Sequence, residues 1–301
     1  MAPRQTSRKY FIRDGGTKNK EGKMHGFYTR AELDKIGKKI LGERIEGRPD
    51  QSVHEVSTIQ NFIVGSERSD RGRKFRYSFT VAALTGLDRL VINTNYAPGV
   101  TGHLNEDGFE GAGGVNAYAA PIGQNYIDIK DTALRAKNWY QGGMVIVYGT
   151  LIFHQHYIVA SDAGNGTYVR LYLDHPITTE AITAGMGVTA YRSRYSAVGL
   201  AGSVQTGFES FVGLPLIPVP ISNYFWLQTG GPACVTPTGV TWPGSAVNLR
   251  DIYANPADGT IQPPTLSDPS LGYQRIGTLI EVTGGTAGDY GDLWIDLQLD
   301  Q

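Results

Sequence analysis

The chain has 301 residues, of which 41% are hydrophobic and only 18% charged, so it is long and apolar enough to bury a substantial core and is not disordered as a whole. One cysteine, Cys234, excludes an intrachain disulfide and gives no sign of an oxidising compartment. The formal net charge of −1 hides an uneven division: residues 1–76 carry eighteen of the 27 Lys and Arg against ten acids, about +8, whereas residues 77–301 come to about −9.

Residues 1–28 read as an extended basic arm, punctuated by Asp14-Gly15-Gly16 and Glu21-Gly22 and without a 3.6-residue repeat. Its start has charges but no apolar run behind them, so no secretory signal is expected and a cytosolic origin fits best. Thr29 and Glu32 then match a capping box, and Leu33, Ile36, Ile40 and Leu41 share a face, which predicts a short amphipathic helix ending near Gly42. A strand is expected from Val53 to Val64. The basic cluster Arg68, Arg71, Arg73, Lys74 and Arg76 follows, interleaved with Phe75 and Tyr77. Such a mixture can grip phosphate and stack bases, but the alternation Phe75, Tyr77, Phe79, Val81 favours the charged face of a half-buried strand.

From Phe75 onward short β segments alternate with turns: 75–84, 87–94, 126–129, 144–148, 151–159, 168–173, 187–191, 224–229, 276–282 and 293–299. Asn165-Gly166 marks a hairpin turn between two of them. Without helices between the strands, the fold expected is mainly β: an antiparallel β-sandwich or barrel body, 77–301, behind an N-terminal arm with one short helix, 1–76. The body allows a further division into 77–140 and 141–301. The Gly-rich stretch 100–118 and the Pro-rich stretch 255–272 are loops and candidate contact surfaces. The longest apolar stretch, Met144 to Val159, is broken by Gly149, His154, Gln155 and His156 and falls short of the roughly 20 apolar residues of a membrane helix.

Chemical signatures are sparse. His154 and His156, two apart on a strand, point to one face and offer two metal ligands, but the glutamate that a cupin-like motif needs downstream is absent, and a structural role is favoured. His25, His54, His103 and His175 show no ligand spacing. Asn105, Glu106, Asp107 and Glu110 do not match an EF-hand loop, and no nucleophile elbow, phosphate loop or dinucleotide fingerprint occurs. No catalytic residue, metal or cofactor is therefore expected. The run Tyr224, Phe225, Trp226, Leu227 is too apolar for a solvated loop and reads as core or as a contact between copies of the chain, with a sugar site as the lesser reading.

Gly166-Thr-Tyr-Val-Arg-Leu-Tyr-Leu173, Val188-Thr-Ala-Tyr-Arg192, Phe211-Val-Gly-Leu-Pro215, Tyr224-Phe-Trp-Leu-Gln-Thr-Gly-Gly-Pro232 and Gly288-Asp-Tyr-Gly-Asp-Leu-Trp-Ile-Asp-Leu297 resemble β-rich virion proteins of tailed bacteriophages, nearest to capsid decoration or cement proteins. The resemblance spans roughly residues 140–301 and leaves the arm unmatched. It implies a non-enzymatic protein, made in the host cytoplasm, that sits on the outer surface of the virion as a homo-oligomer, a dimer or trimer, and binds the major capsid protein, with no membrane or nucleic-acid partner. On that reading the capsid-contact candidates are Arg4, Arg8, Lys9, Arg13, Lys18, Lys20, Lys23, Arg71, Arg73, Lys74 and Arg76, and the oligomer-contact candidates are Tyr224, Phe225 and Trp226. Two alternatives stand beside it: a tail or fibre component holding host glycan on Trp139, Tyr140 and Trp242, and a metal-dependent β-barrel enzyme using His154 and His156.

Overall fold

A computed structural model describes residues 48–86, 88–94, 117–202, 210–237, 250–263, 273–282 and 293–300, with the backbone of 9–11, 27–29 and 103–104. The predicted helix and most of the Gly-rich and Pro-rich loops lie outside the described residues. Within them run eighteen strands: β1 (Lys9–Phe11), β2 (Phe27–Thr29), β3 (Glu67–Asp70), β4 (Arg73–Phe79), β5 (Val91–Asn93), β6 (His103–Leu104), β7 (Tyr126–Lys130), β8 (Met144–Tyr148), β9 (Phe153–Ser161), β10 (Tyr168–Leu173), β11 (Val188–Tyr191), β12 (Val198–Leu200), β13 (Phe211–Pro215), β14 (Tyr224–Val235), β15 (Asp251–Ala254), β16 (Ile261–Gln262), β17 (Arg275–Val282) and β18 (Leu293–Gln298). The protein is mainly β, and its two larger antiparallel sheets curl into half-barrels.

The smaller half-barrel is the six-stranded sheet β6-β11-β8-β9-β10-β7. Strands β8 and β10 alternate, so Val145 and Val147, then Val169, Leu171 and Leu173, point inward and pack with Ile127, Ile129, Ile158 and Val188. The hairpin between β9 and β10 turns at Asn165-Gly166, as the sequence predicts. Asn165 Oδ1 accepts the amides of Thr167 and Tyr168 at 2.9 Å each, and Gly166 takes φ +84°, a conformation that favours glycine.

The larger sheet has ten strands, with β14 as its spine. The first half of β14 pairs with β4, the second half with β18, and the register shifts between Gln228 and Gly230. The chain enters this sheet through β3 to β5, leaves to build the smaller half-barrel, and returns with β12, which lies antiparallel to β5 with Val198 opposite Asn93. The smaller half-barrel is thus inserted in sequence between two paired strands of the larger sheet. A cut at 76/77 would fall inside β4, and a cut at 140/141 would separate Tyr140 from Val145, which share one core.

Val53 to Val64 is not the strand its apolar residues predict. Only Ser57 and Phe62 make bridge-type pairings, and side chains satisfy much of the backbone. Buried Gln51 is the centre: its Nε2 donates to the carbonyls of Glu55 (2.9 Å) and Tyr224 (3.0 Å), and its Oε1 accepts from Tyr77 Oη (2.7 Å) and Asn61 Nδ2 (3.0 Å). Each of these pairings removes the penalty of a buried, unsatisfied polar group, so a ladder is not required. The sequence pattern does not mark β1, β2, β3, β6, β12, β13, β15 or β16. All but β13 are four residues or fewer, too short for an alternation to register, and β13 is buried along its whole length.

The two half-barrels touch where Gly142 meets the carbonyl of Val64. Gly142 has φ +75°, and a Cβ there would stand 2.2 Å from that oxygen. The Gly142→Ala variant is expected to lose about 2–4 kcal/mol of stability, the sum of a left-handed backbone penalty and overpacking against a fixed carbonyl, checked by urea titration.

Candidate functional site

Strand β9 alternates so that His154 and His156 both face the interior of the smaller half-barrel, about 3% and 4% exposed, with their rings nearly parallel and centroids 6.4 Å apart. The pairing on one face predicted from the sequence is therefore present. What the sequence reading missed is the pair next to it. A bulge between Tyr172 and Leu173 shifts the β9–β10 register by one, so Leu173 pairs with Ile158. The chain beyond β10 then lies beside Tyr157, whose carbonyl accepts the Asp174 amide (3.0 Å) and whose amide donates to Asp174 Oδ1 (3.1 Å).

This places three ligand-type side chains together. Asp174 Oδ1 is 2.8 Å from His175 Nδ1 and 3.8 Å from His156 Nδ1, and the three donor atoms all lie within 4.8 Å of one another. His156 and His175 approach with ring centroids 4.2 Å apart. His156 is the buried member, Asp174 is half-buried and His175 is exposed, so the cluster grades from core to solvent. Burial first, and the neighbouring His175 second, push His156 down to about 4, with Asp174 opposing; its imidazole is neutral at physiological pH. His156 Nδ1 and His154 Nε2 are buried and make no hydrogen bond.

Asp174 also lines a cleft of about 730 Å³ between the two half-barrels, together with Val64, Gly65, Glu67, Arg76 and Tyr157. Arg76, a capsid-contact candidate, is consumed here: it pairs with Glu67 (2.9 Å) and with Asp300, and donates to the Gly65 carbonyl (3.1 Å). Burial opposes its charge, but the hydrogen bond and charge of Asp300 outweigh burial and its pKa is raised. Arg73 pairs with Asp70 across the β3–β4 hairpin and lies over Phe75. Lys74 and Arg71 are exposed at that hairpin. Lys9 lies on β1, and Arg4, Arg8, Arg13, Lys18, Lys20 and Lys23 lie outside the described residues.

The oligomer-contact assignment is corrected in part. Phe225 and Trp226 are 0% and 1% exposed inside their own chain, Trp226 against Phe62 and Tyr77, so neither has surface left for another copy; Tyr224 is half-buried beside them. The glycan alternative loses Tyr140 in the same way, since it is buried and its hydroxyl donates to Asp131. Trp139 is flanked by Arg135 and Arg192, and Trp242 lies outside the described residues. Comparison of the chain with known protein families, with characterised proteins and with solved structures finds no match among any of them.

Proposed function

We propose that this chain is a structural protein of a bacteriophage virion, a capsid decoration or cement protein that binds the major capsid protein through its cationic leading segment and associates with further copies of itself. The observation that carries this reading is the charge division, sharpened by how the body uses its own cations. Arg135, Arg170 and Arg275 of the body each pair with an acid of the same chain, Asp131, Asp128 and Asp251 respectively. By sequence the net positive charge lies in residues 1–76 and the net negative charge in residues 77–301, and complementary charge speeds and orients docking onto an acidic shell. A second support is the exposed apolar surface of the smaller half-barrel, where Leu151 and Phe153 are 74% and 64% exposed, of the kind that subunit contacts cover.

The test is attachment to bare phage heads. The full chain should bind, with retention falling as salt is raised from about 50 to 500 mM, because ion pairs across the contact are screened. A variant lacking residues 1–30 should keep its cooperative melting transition and lose attachment. Salt-insensitive binding by the shortened chain would overturn the reading.

A further inference from the structure

We infer that His156, Asp174 and His175 form a binding site for a divalent transition metal of the zinc type, with a coordination position open to the solvent side. This goes beyond the virion role proposed above and does not rest on it. The donor set is two imidazole nitrogens and one carboxylate oxygen, which suits zinc, cobalt or iron and is too poor in oxygen for calcium or magnesium. The geometry is close to what coordination needs. With metal–ligand bonds of about 2.1 Å, the donor atoms of a tetrahedral site stand roughly 3.4 Å apart. The separations here, 2.8 and 3.8 Å to Asp174 Oδ1 and no more than 4.8 Å for any pair, straddle that value and ask only for side-chain rotation.

A second, independent observation points the same way. His156 is about 4% exposed, yet its Nδ1 faces the Asp174 carboxylate at 3.8 Å, beyond hydrogen-bond reach, and has no other partner. A buried polar atom without a partner is uncommon in a folded protein, and a coordinate bond would satisfy it. The scaffold is held independently of any metal: His156 sits inside β9, where its residue pairs with Val145, and Asp174 is tied by two hydrogen bonds to Tyr157. His154 lies parallel to His156 with ring centroids 6.4 Å apart, His175 is exposed, and Asp174 also lines the cleft, so the solvent side of the cluster is the side of His175 and Asp174.

Untagged full-length protein, freed of metal by chelator and dialysis, is titrated with zinc chloride and, separately, with cobalt chloride. The expected result is one saturable zinc equivalent, a raised melting temperature, and a visible cobalt spectrum of four- or five-coordinate intensity. The H175Q variant changes an exposed side chain and should fold normally, and its zinc affinity should fall at least about tenfold, as should that of H156Q and D174N. Millimolar calcium or magnesium should not displace the zinc. Absence of a saturable equivalent, an affinity unchanged in H175Q, a six-coordinate cobalt spectrum, or displacement by calcium would each overturn the assignment.

Discussion

Trp226→Ala is expected to cost about 3–5 kcal/mol, enough to remove a large share of the stability of a typical domain. Trp226 is buried near the start of β14, with Phe62 and Tyr77 at centroid distances of 4.9 and 5.1 Å and the Arg68 guanidinium 5.6 Å from its ring. Its Nε1 donates to the Gln51 carbonyl at 3.0 Å, across 175 residues of sequence. Alanine would leave a cavity under residues 51–62 and remove one of the two donors to the Gln51 carbonyl, which keeps Arg68 Nη1 at 2.8 Å, so the lost packing carries most of the cost. Equilibrium denaturation in urea measures the loss, and limited proteolysis should show earlier cleavage within 51–62. A stable, unaltered variant that instead fails to self-associate would show that Trp226 faces another copy after all.

Asp131→Ala is expected to have a comparable effect, about 3–5 kcal/mol, by a different route. The carboxylate is buried and accepts from Tyr140 Oη (2.7 Å), Arg135 Nε (3.0 Å) and the Ala133 amide (2.9 Å). Removing it strands a half-buried guanidinium and a buried phenol hydroxyl in the smaller half-barrel. Burial first, and the Asp131 carboxylate second, raise the pKa of Tyr140, so the phenol stays a donor throughout the physiological range. Tyr140→Phe alone should cost less, about 1–2 kcal/mol, and a double-mutant cycle should show strong coupling between the two positions.

These two sites differ in how far the sequence announces them. The aromatic run of β14 is conspicuous as text, and its burial follows from its apolarity. Whether it is covered by its own chain or by another copy is a different matter: the cover comes from residues 51–62, and it is held by Gln51 and Asn61 rather than by a strand pattern. The Asp131 network joins residues only nine apart, but nothing in Asp131 or Tyr140 separately signals a buried pair.

The His156, Asp174 and His175 cluster shows the same limit. The spacing of His154 and His156 predicts that they share a face, and Asn165-Gly166 predicts the hairpin that returns the chain past them. Folded with an unbroken register, that hairpin would set Asp174 opposite Ile158; the bulge at Tyr172/Leu173 moves it opposite Tyr157 and within reach of His156. A one-residue slip of this kind leaves no mark on an alternation pattern, because both registers bury Leu171 and Leu173.

By itself the sequence determined the β class, the position of most long strands, the Asn165-Gly166 turn and the charge division, since side-chain period, turn chemistry and charge are properties of neighbouring residues. Only the tertiary structure decided that the smaller half-barrel is inserted between β5 and β12, that residues 51–62 cover Trp226, and that Asp174 and His175 join His156. These depend on pairings between segments far apart in the chain and on one bulge, where packing and hydrogen-bond satisfaction across the whole molecule outweigh local preference.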